Sequence, residues 1–366
     1  MSDNGETVRP KNLGGSIWLD GVIQDSLLGE PSSEFFSRYE VTGVRFNLPV
    51  FEREVSLGRL ARSTILQQSA DGVEAAEIYS RLLVQAVQEA ADMLGPVFER
   101  TNGSDGFITV PLPAVLAYDV ESLVEEAVLF STQLERQNVI LLVPATEEGI
   151  TALQQITAAG VSTGVQHLLS VRRYREASDS YLNGLEHRMM RSAHVRHVNS
   201  IAEFALGHLE TIAEDKRASG DRPERAADGG LAVSTARVAY GNYLNSVFSE
   251  RYQKLAKLGL RAQRLAWSCS GASELLSADL PDQLIGPATV CEMPGDAIRR
   301  LYRRSLSGFG LSYGLAEAQT KMELHEQRHP NLEQLCADEV ERLVNKQVLS
   351  SDRAVASIQE VCERHS

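Results

Sequence analysis

The sequence contains no lysine between Lys11 and Lys216. Outside this gap the chain carries only a few lysines, in segments that resemble helices or surface loops: Lys254, Lys257, Lys321 and Lys346. A Schiff base between a protein and a carbonyl substrate needs a lysine amine as its nucleophile. Residues 12–215 therefore offer no side chain for that reaction.

Cysteine is also scarce, and its spacing carries no metal or redox motif. The four cysteines are Cys269, Cys291, Cys336 and Cys362. None forms a CxxC pair or stands near a histidine at the spacing of metal ligands. In a chain of 366 residues this pattern predicts reduced thiols and a cytoplasmic location, not a disulfide framework.

Positive charge and long apolar runs are lacking too. The chain has 36 basic and 49 acidic residues, a net charge of −13, which argues against nucleic acid or an anionic membrane as a partner. No apolar run approaches the length of a membrane-spanning helix. The polar stretch 1–14 has no apolar core, so we predict no signal peptide there and a flexible N-terminus.

Short apolar runs alternate with longer amphipathic stretches along most of the chain. The run Val139–Val143 is apolar without alternation, as in a parallel strand that is covered on both faces. Predicted strands are Ser16–Leu19, Val41–Phe46, Gly106–Val110, Asn138–Val143, Gly160–Leu168, Ser200–Leu206, Gln263–Ser270 and Pro287–Cys291.

Eight strands that alternate with helices predict an α/β fold, a (β/α)8 TIM barrel formed as one domain over residues 1–366. The clearest helix is Ala75–Leu94, and 121–137 forms another. Residues 214–230 are predicted to be a surface loop or a frayed helix start, and 296–366 additional C-terminal helices. A doubly wound sheet is the alternative, but no GxGxxG motif follows the first strand.

Six segments, in order, resemble the transaldolase family. They are SIWLDG at 16–21, GVRFNLPVF at 43–51, NVILLVPATEEG at 138–149, SVRRY at 170–174, YLNGLE at 181–186 and QRLAWSCSG at 263–271. Each match is weak alone, but together they span about residues 16–290. The resemblance implies a (β/α)8 barrel with its active site at the C-terminal ends of the strands.

The resemblance also implies that much of the family's active site is replaced. Asp20 and Asn47 match family residues, whereas Leu142 stands where the family has its Schiff-base lysine. In this chain Arg45 stands where the family has a threonine, and Pro111 where it has a glutamate. Gly164 and Gln166 stand in place of an asparagine and a threonine, and Glu203 and His208 in place of a serine and an arginine. Cys269 and Ser273 stand in place of a serine and a lysine. The positions of Glu203 and His208 rest on few matching residues.

These replacements predict an enzyme that has lost transaldolase activity and instead uses acid–base or electrostatic catalysis, as a lyase, cyclase or transferase, on a small organic substrate. Burial and neighbouring charges can bring carboxyl and imidazole pKa values towards neutrality. The predicted catalytic residues are Asp20, Glu203 and His208. The predicted substrate-binding residues are Arg45, Asn47, Leu142, Gln166 and Trp267.

Several of these residues have an equally good structural interpretation. Arg45 can form an ion pair with Asp20 or Glu203 and close the barrel, and His208 can be a packed histidine. For Trp267 a place in the core is the better interpretation. A pseudoenzyme that binds a metabolite or a partner protein is therefore the alternative function.

No cofactor or metal is predicted. Asn242, Ser246 and Glu250 have the NxxxSxxxE spacing of a Mg²⁺ motif, but no aspartate-rich partner motif accompanies them. Since the family's phosphate-contacting basic positions are lost, we expect a small-molecule substrate other than the usual sugar phosphates, in a specialised biosynthetic pathway. The sequence leaves homodimer formation open.

The absence of lysine generates a direct prediction. Borohydride reduction in the presence of a sugar-phosphate ketose should leave the mass of the intact protein unchanged, because residues 12–215, which include the position of the family's Schiff-base lysine, offer no lysine amine to form a reducible imine. A bona fide transaldolase treated in parallel provides the positive control. A covalent sugar adduct on this chain would show a residual aldolase route and contradict the prediction.

Overall fold

The computed structural model describes residues 8–191, 194–217, 230–269, 282–306, 310–311 and 313–364, with backbone alone for 213–217. Within these ranges eight parallel strands close into a barrel in the order β1 to β8. The strands are β1 Ser16–Gly21, β2 Val41–Phe46, β3 Ile108–Pro111, β4 Val139–Pro144, β5 Thr163–Leu168, β6 Ile201–Ala205, β7 Arg264–Ser268 and β8 Thr289–Met293.

Helices follow the strands and cover the outside of the barrel. They are α1 Asp25–Leu28, α2 Ser32–Arg38, α3 Leu48–Ser56, α4 Arg62–Ala70, α5 Ala75–Arg100, α6 Val120–Leu134, α7 Glu147–Ala159, α8 Val171–Met190, α9 Leu206–Arg217, α10 Gly230–Val247, α11 Glu250–Ala256, α12 Gly295–Leu301, α13 Leu315–Arg328 and α14 Leu332–Glu363. Short 3-10 helices occupy Pro10–Leu13 and Ala114–Leu116.

The predicted TIM barrel is confirmed, and each predicted strand overlaps an observed one. The largest difference in a helix concerns α5, which runs on to Arg100 through an internal Pro96. The predicted C-terminal helices correspond to α12, α13 and α14. Of the predicted surface loop, residues 214–217 belong to α9 and residues 218–229 lie outside the described part.

The apolar side chains of the barrel strands belong to two separate cores because strand residues alternate between the faces of the sheet. The outer core joins the strands to the helices. The inner core fills the N-terminal half of the barrel and consists of Trp18, Phe107, Ile140, Leu142, Ile201, Ala266 and Val290. Apolar side chains therefore occupy much of the barrel interior below its C-terminal end.

Gly43 on β2 makes room for the largest side chain of the inner core. A Cβ atom at position 43 would overlap the indole ring of Trp18. That ring is completely buried, and its Nε1 donates a 2.9 Å hydrogen bond to Asp105 Oδ1. The tryptophan therefore has little freedom to move aside.

Helix α14 crosses the C-terminal end of the barrel. Near its start, Glu339 lies 2.9 Å from His208, which follows β6. Further along, Ser351 donates a 2.6 Å hydrogen bond to Glu52 on α3, which follows β2. Strands β2 and β6 stand opposite each other in a ring of eight, so α14 spans the barrel mouth.

The N-terminal segment packs against a late part of the chain. Of the stretch predicted to be flexible, residues 8–14 include the 3-10 helix, and Arg9 donates a 2.7 Å hydrogen bond to the carbonyl oxygen of Tyr302. Residues 1–7 lie outside the described part. None of the described helices is long and apolar enough to cross a membrane.

The Trp18–Gly43 contact predicts a sharp stability difference between two glycines. Gly43→Ala should lower the free energy of unfolding by about 1–3 kcal/mol, because the added methyl overpacks a buried ring. In the control Gly21→Ala the methyl meets only Leu19, at 3.5 Å, and we expect a change below about 1 kcal/mol. Equal losses in urea unfolding would contradict this account of the inner core.

Candidate active site

A buried guanidinium lies at the centre of the C-terminal half of the barrel. Arg45 on β2 makes a bidentate contact with Glu203 on β6, at 2.9 Å from Nε and 3.1 Å from Nη2. Its Nη1 donates to Asp20 Oδ1 on β1 at 3.1 Å, and its Nε lies 3.6 Å from Glu292 Oε2 on β8. Four strands thus place their charged side chains in one contact network, here called the Arg45 cluster: Arg45, Asp20, Glu203 and Glu292.

The Arg45 cluster contains more acid than base. The side chains of Asp20, Glu203 and Glu292 are at most 1% exposed, and that of Arg45 is 10% exposed. Three buried carboxylates cannot all be balanced by one guanidinium, so at least one is driven towards its neutral form.

The two glutamates take up this imbalance. Burial, with the repulsion of Glu203 next, raises the pKa of Glu292 well above its usual range. Burial also raises the pKa of Glu203, although the ion pair with Arg45 opposes the shift. The carboxylates in turn raise the pKa of Arg45, so its charge is permanent. The cluster therefore combines an ion pair with carboxyl groups whose neutral forms are favoured by burial.

Buried polar atoms without a hydrogen-bond partner surround the cluster. Both carboxyl oxygens of Glu292 lack one within the described structure, as do Thr109 Oγ1 on β3 and Gln166 Oε1 on β5. Each such atom costs about 1–3 kcal/mol. The arrangement is therefore not the one that stability alone would favour, which is a common property of functional sites.

Asn47 links the cluster to the helix that follows β2. Its Nδ2 donates a 2.8 Å hydrogen bond to Asp20 Oδ1, and its Oδ1 accepts one from the backbone of Val50 as the N-cap of α3. The asparagine is thereby fixed at the end of the strand. Asp20 accordingly receives hydrogen bonds from both Arg45 and Asn47.

Leu142 lies just below this polar layer. It is completely buried on β4, paired in register with Pro111 on β3 and Gly164 on β5. Its side chain belongs to the inner apolar core. The hydrocarbon surface of Leu142 therefore forms part of the floor beneath the charged groups, and it offers no polar atom to a ligand.

Of the predicted site residues, the structure brings Asp20, Arg45, Asn47 and Glu203 into direct contact. Gln166 is 1% exposed, next to His167 on β5.

Trp267 does not face the interior: it belongs to the outer core, with its ring centroid 5.5 Å from that of Phe204. This position agrees with the core interpretation preferred for Trp267 and not with the binding role, because strand alternation turns the ring towards the helices.

His208 is also outside the Arg45 cluster. It lies on α9, three residues beyond the end of β6, and its Nδ1 is 2.9 Å from Glu339 on α14. Burial lowers its pKa despite the neighbouring carboxylate. The structure thus places His208 where it holds the C-terminal helix.

A histidine that the sequence interpretation overlooked stands closer to the cluster. His167 has a left-handed backbone (φ 64°) where the β5–β6 register is irregular, and its Nε2 lacks a hydrogen-bond partner within the described part. Burial, reinforced by the charge of Arg45, lowers its pKa to about 3, so the imidazole is neutral. It lines a cavity of about 320 Å³ between the loops after β4 and β5 and helix α14.

Glu292 was missed as well, because the predicted eighth strand ended at Cys291, two residues before its observed end at Met293. Two-residue alternation along that strand would have turned Glu292 inwards with Val290. For His167 no sequence signal was available, since an irregular strand register breaks the alternation.

Asn242, from the NxxxSxxxE spacing, contacts other protein groups. Its Oδ1 accepts a 2.8 Å hydrogen bond from Arg175, and its Nδ2 donates to the carbonyl oxygen of Val238. Over the described ranges no group of three or more histidine, cysteine, aspartate or glutamate side chains is arranged to hold a metal ion.

Removing the central cation should strongly destabilise the folded protein. We expect Arg45→Met to lower the free energy of unfolding by about 3–5 kcal/mol, because it leaves three buried carboxyl groups without a counter-ion. The pKa values of Glu203 and Glu292 are already raised by burial, and the variant removes the charge of Arg45 that opposes both shifts. The folded state then binds more protons than the unfolded state, so stability falls as pH rises above about 4.5. The decrease in unfolding free energy caused by Arg45→Met should therefore be smaller at pH 5 than at pH 8.

The control is Arg81→Met, since Arg81 is 51% exposed and pairs with Glu77 one helical turn away. Its loss should stay below about 0.5 kcal/mol at both pH values. Chemical denaturation at the two pH values measures both variants. A loss in Arg45→Met no larger than the control's would contradict the importance of the cluster.

Comparison with known proteins supports the relationship indicated by the fold. Residues 17–349 match the model of the family described as Transaldolase/Fructose-6-phosphate aldolase. The chain is 31% identical over 291 residues to a transaldolase of Mycobacterium tuberculosis, covering 78% of each chain. It is 30% identical to transaldolase 1 of Streptomyces avermitilis (78% of this chain, 76% of the relative) and 28% identical to a transaldolase of Trichodesmium erythraeum (79% of each). The chain therefore belongs to the transaldolase/fructose-6-phosphate aldolase family.

Proposed function

We propose that this member of the transaldolase family has lost Schiff-base chemistry and catalyses proton transfer on a small organic substrate through the Arg45 cluster. The observation that carries the proposal is the excess of buried carboxyl groups around one guanidinium. It gathers candidate acids and bases around one guanidinium, the kind of arrangement that general acid–base catalysis uses.

The residue at the position matched to the family's lysine supports the first half of the proposal. Leu142 has no nucleophile, and it is packed among apolar side chains of the inner core. None of the eight strands carries a lysine. An imine would therefore have to form on a lysine outside the barrel strands.

The environments of the carboxyl groups support separate roles for them. Glu292, kept protonated by burial and by its acidic neighbours, is suited to be the proton donor. Asp20, held by Arg45 and Asn47, is suited to be the acceptor. Glu203 fixes the orientation of Arg45 through its bidentate contact, and Arg45 stabilises negative charge that develops on a substrate oxygen.

The charge of the cluster points away from sugar phosphates. A dianionic phosphate would meet three carboxyl groups, and Arg45 is already neutralised by them. We therefore propose a neutral or cationic substrate, a small carbonyl or polyhydroxy compound of a specialised pathway. The cavity lined by His167 is the proposed binding space for the part of the substrate that does not react, because no residue of the Arg45 cluster lines it.

The test is deuterium incorporation by the purified protein. A panel of neutral aldoses, ketoses and cyclitol ketones in D2O is followed by NMR and mass spectrometry with the wild type, Glu292→Gln and Asp20→Asn. At least one compound should exchange a proton or change mass with the wild type. The rate should fall at least about 100-fold in both variants, the lower range for loss of an acid–base group.

The matched control is Glu77→Gln, since Glu77 is an exposed carboxyl group on α5. It should retain the full rate. No exchange with any compound, or equal rates in all four proteins, would contradict acid–base catalysis by the cluster. A kcat that falls in Glu203→Ala and Asp20→Ala but not in His208→Ala would separate the cluster from the predicted role of His208.

A non-catalytic binding protein is the second candidate, and the ion pairs of Arg45 favour it. All the recorded polar contacts of this side chain go to the three carboxyl groups, and α14 crosses the mouth above. Such a protein would bind a compound of the panel without turnover. Saturation-transfer NMR on the same samples distinguishes the two functions.

A further inference from the structure

A second cavity lies at the opposite, N-terminal end of the barrel. Its volume is about 210 Å³, and its apolar wall is formed by Trp18, Phe107, Ile140 and Ile201 of the inner core. Catalysis in TIM barrels takes place at the C-terminal end. An open apolar cavity at the other end is therefore not explained by the Arg45 cluster.

Two arginines border this cavity, and their surroundings differ. Arg264 is engaged: its Nη2 donates to Ser16 Oγ at 2.8 Å, its Nη1 lies 3.5 Å from Asp105, and its guanidinium carbon is 5.8 Å from the centre of the Trp18 ring. It covers the tryptophan and has its counter-ion.

Arg261 has no such counter-ion. Its recorded hydrogen bonds go to the backbone carbonyls of Gly103 and Asn102, which leaves three of the five guanidinium N–H donors without a partner among the described residues. Within those residues no carboxylate lies at ion-pair distance from it. Burial accordingly lowers the pKa of Arg261, with only Tyr181 opposing, whereas carboxylates raise that of Arg45.

An unbalanced guanidinium beside an apolar cavity is unusual in a chain of net charge −13. A partly buried cation without a counter-ion is unfavourable, and a carboxylate satisfies it with paired, charge-assisted hydrogen bonds. We propose that the N-terminal end of the barrel is a second binding site, for a small aromatic carboxylate. Its ring fills the cavity against Ile140 and Ile201, and its carboxylate pairs with Arg261.

The size of the cavity limits the ligand. At roughly 30 Å³ for each water molecule, 210 Å³ holds about seven waters, less than the space that drug-sized ligands occupy. A single ring with a short acidic side chain fits this volume. Phenylacetate is therefore the probe, and phenylacetamide is its neutral counterpart of the same shape.

Isothermal titration calorimetry of the full chain tests the proposal. The wild type should bind phenylacetate at one site, and phenylacetamide at least about tenfold more weakly. Arg261→Gln should weaken the binding of phenylacetate by a similar factor and leave the affinity for phenylacetamide unchanged, because only the positive charge is lost. Arg261→Lys should keep the preference for the carboxylate, and Ala262→Phe, which reduces the cavity, should lose both probes.

The control is Arg191→Gln, an exposed arginine that does not line the cavity, and it should bind like the wild type. Thermal unfolding of each variant checks the fold, and the comparison of the two probes on the wild type needs no variant. The proposal would be overturned if phenylacetate did not bind up to about 10 mM, or if the wild type bound both probes with equal affinity. It would also be overturned if Arg261→Gln weakened the binding of both probes equally.

Discussion

The contact between Arg45 and the three buried carboxyl groups is the constraint on which the C-terminal half of this barrel depends. Charged groups inside a protein are stable only when they are paired, and their desolvation is repaid by close, well-oriented contacts. Here one guanidinium from β2 joins carboxyl groups from β1, β6 and β8. The cluster therefore ties together strands that are distant in sequence and leaves an acidic proton in the barrel.

The division of the interior into two halves follows from the same requirement. Trp18, Leu142 and their neighbours make the N-terminal half apolar, so charge is confined to the half that faces the loops. Low polarity beneath the cluster strengthens its electrostatic interactions and shifts its pKa values. Helix α14 then covers the mouth through contacts with His208 and Glu52.

The sequence predicted the barrel well because β–α alternation and parallel burial leave strong local patterns, as in Val139–Val143. It placed Asp20, Arg45, Asn47 and Glu203 together for a similar reason: the C-terminal ends of barrel strands converge. For Trp267 the structure agrees with the preferred core interpretation and not with the binding role, since the side of the strand decides whether a residue faces the interior or the helices. His167 and Glu292 were missed, since an irregular strand register and a strand end two residues further on cannot be read from local composition.

Glu292 should carry a proton at neutral pH, because it is buried and shares one guanidinium with two other buried carboxyl groups. Carbon-13 NMR of glutamate carboxyl groups, with the signal assigned by its loss in Glu292→Gln, measures this directly. This signal should stay at the position of the neutral acid through pH 7, well above the usual pKa near 4.5. A Glu292 signal that titrates at or below 4.5 would contradict it.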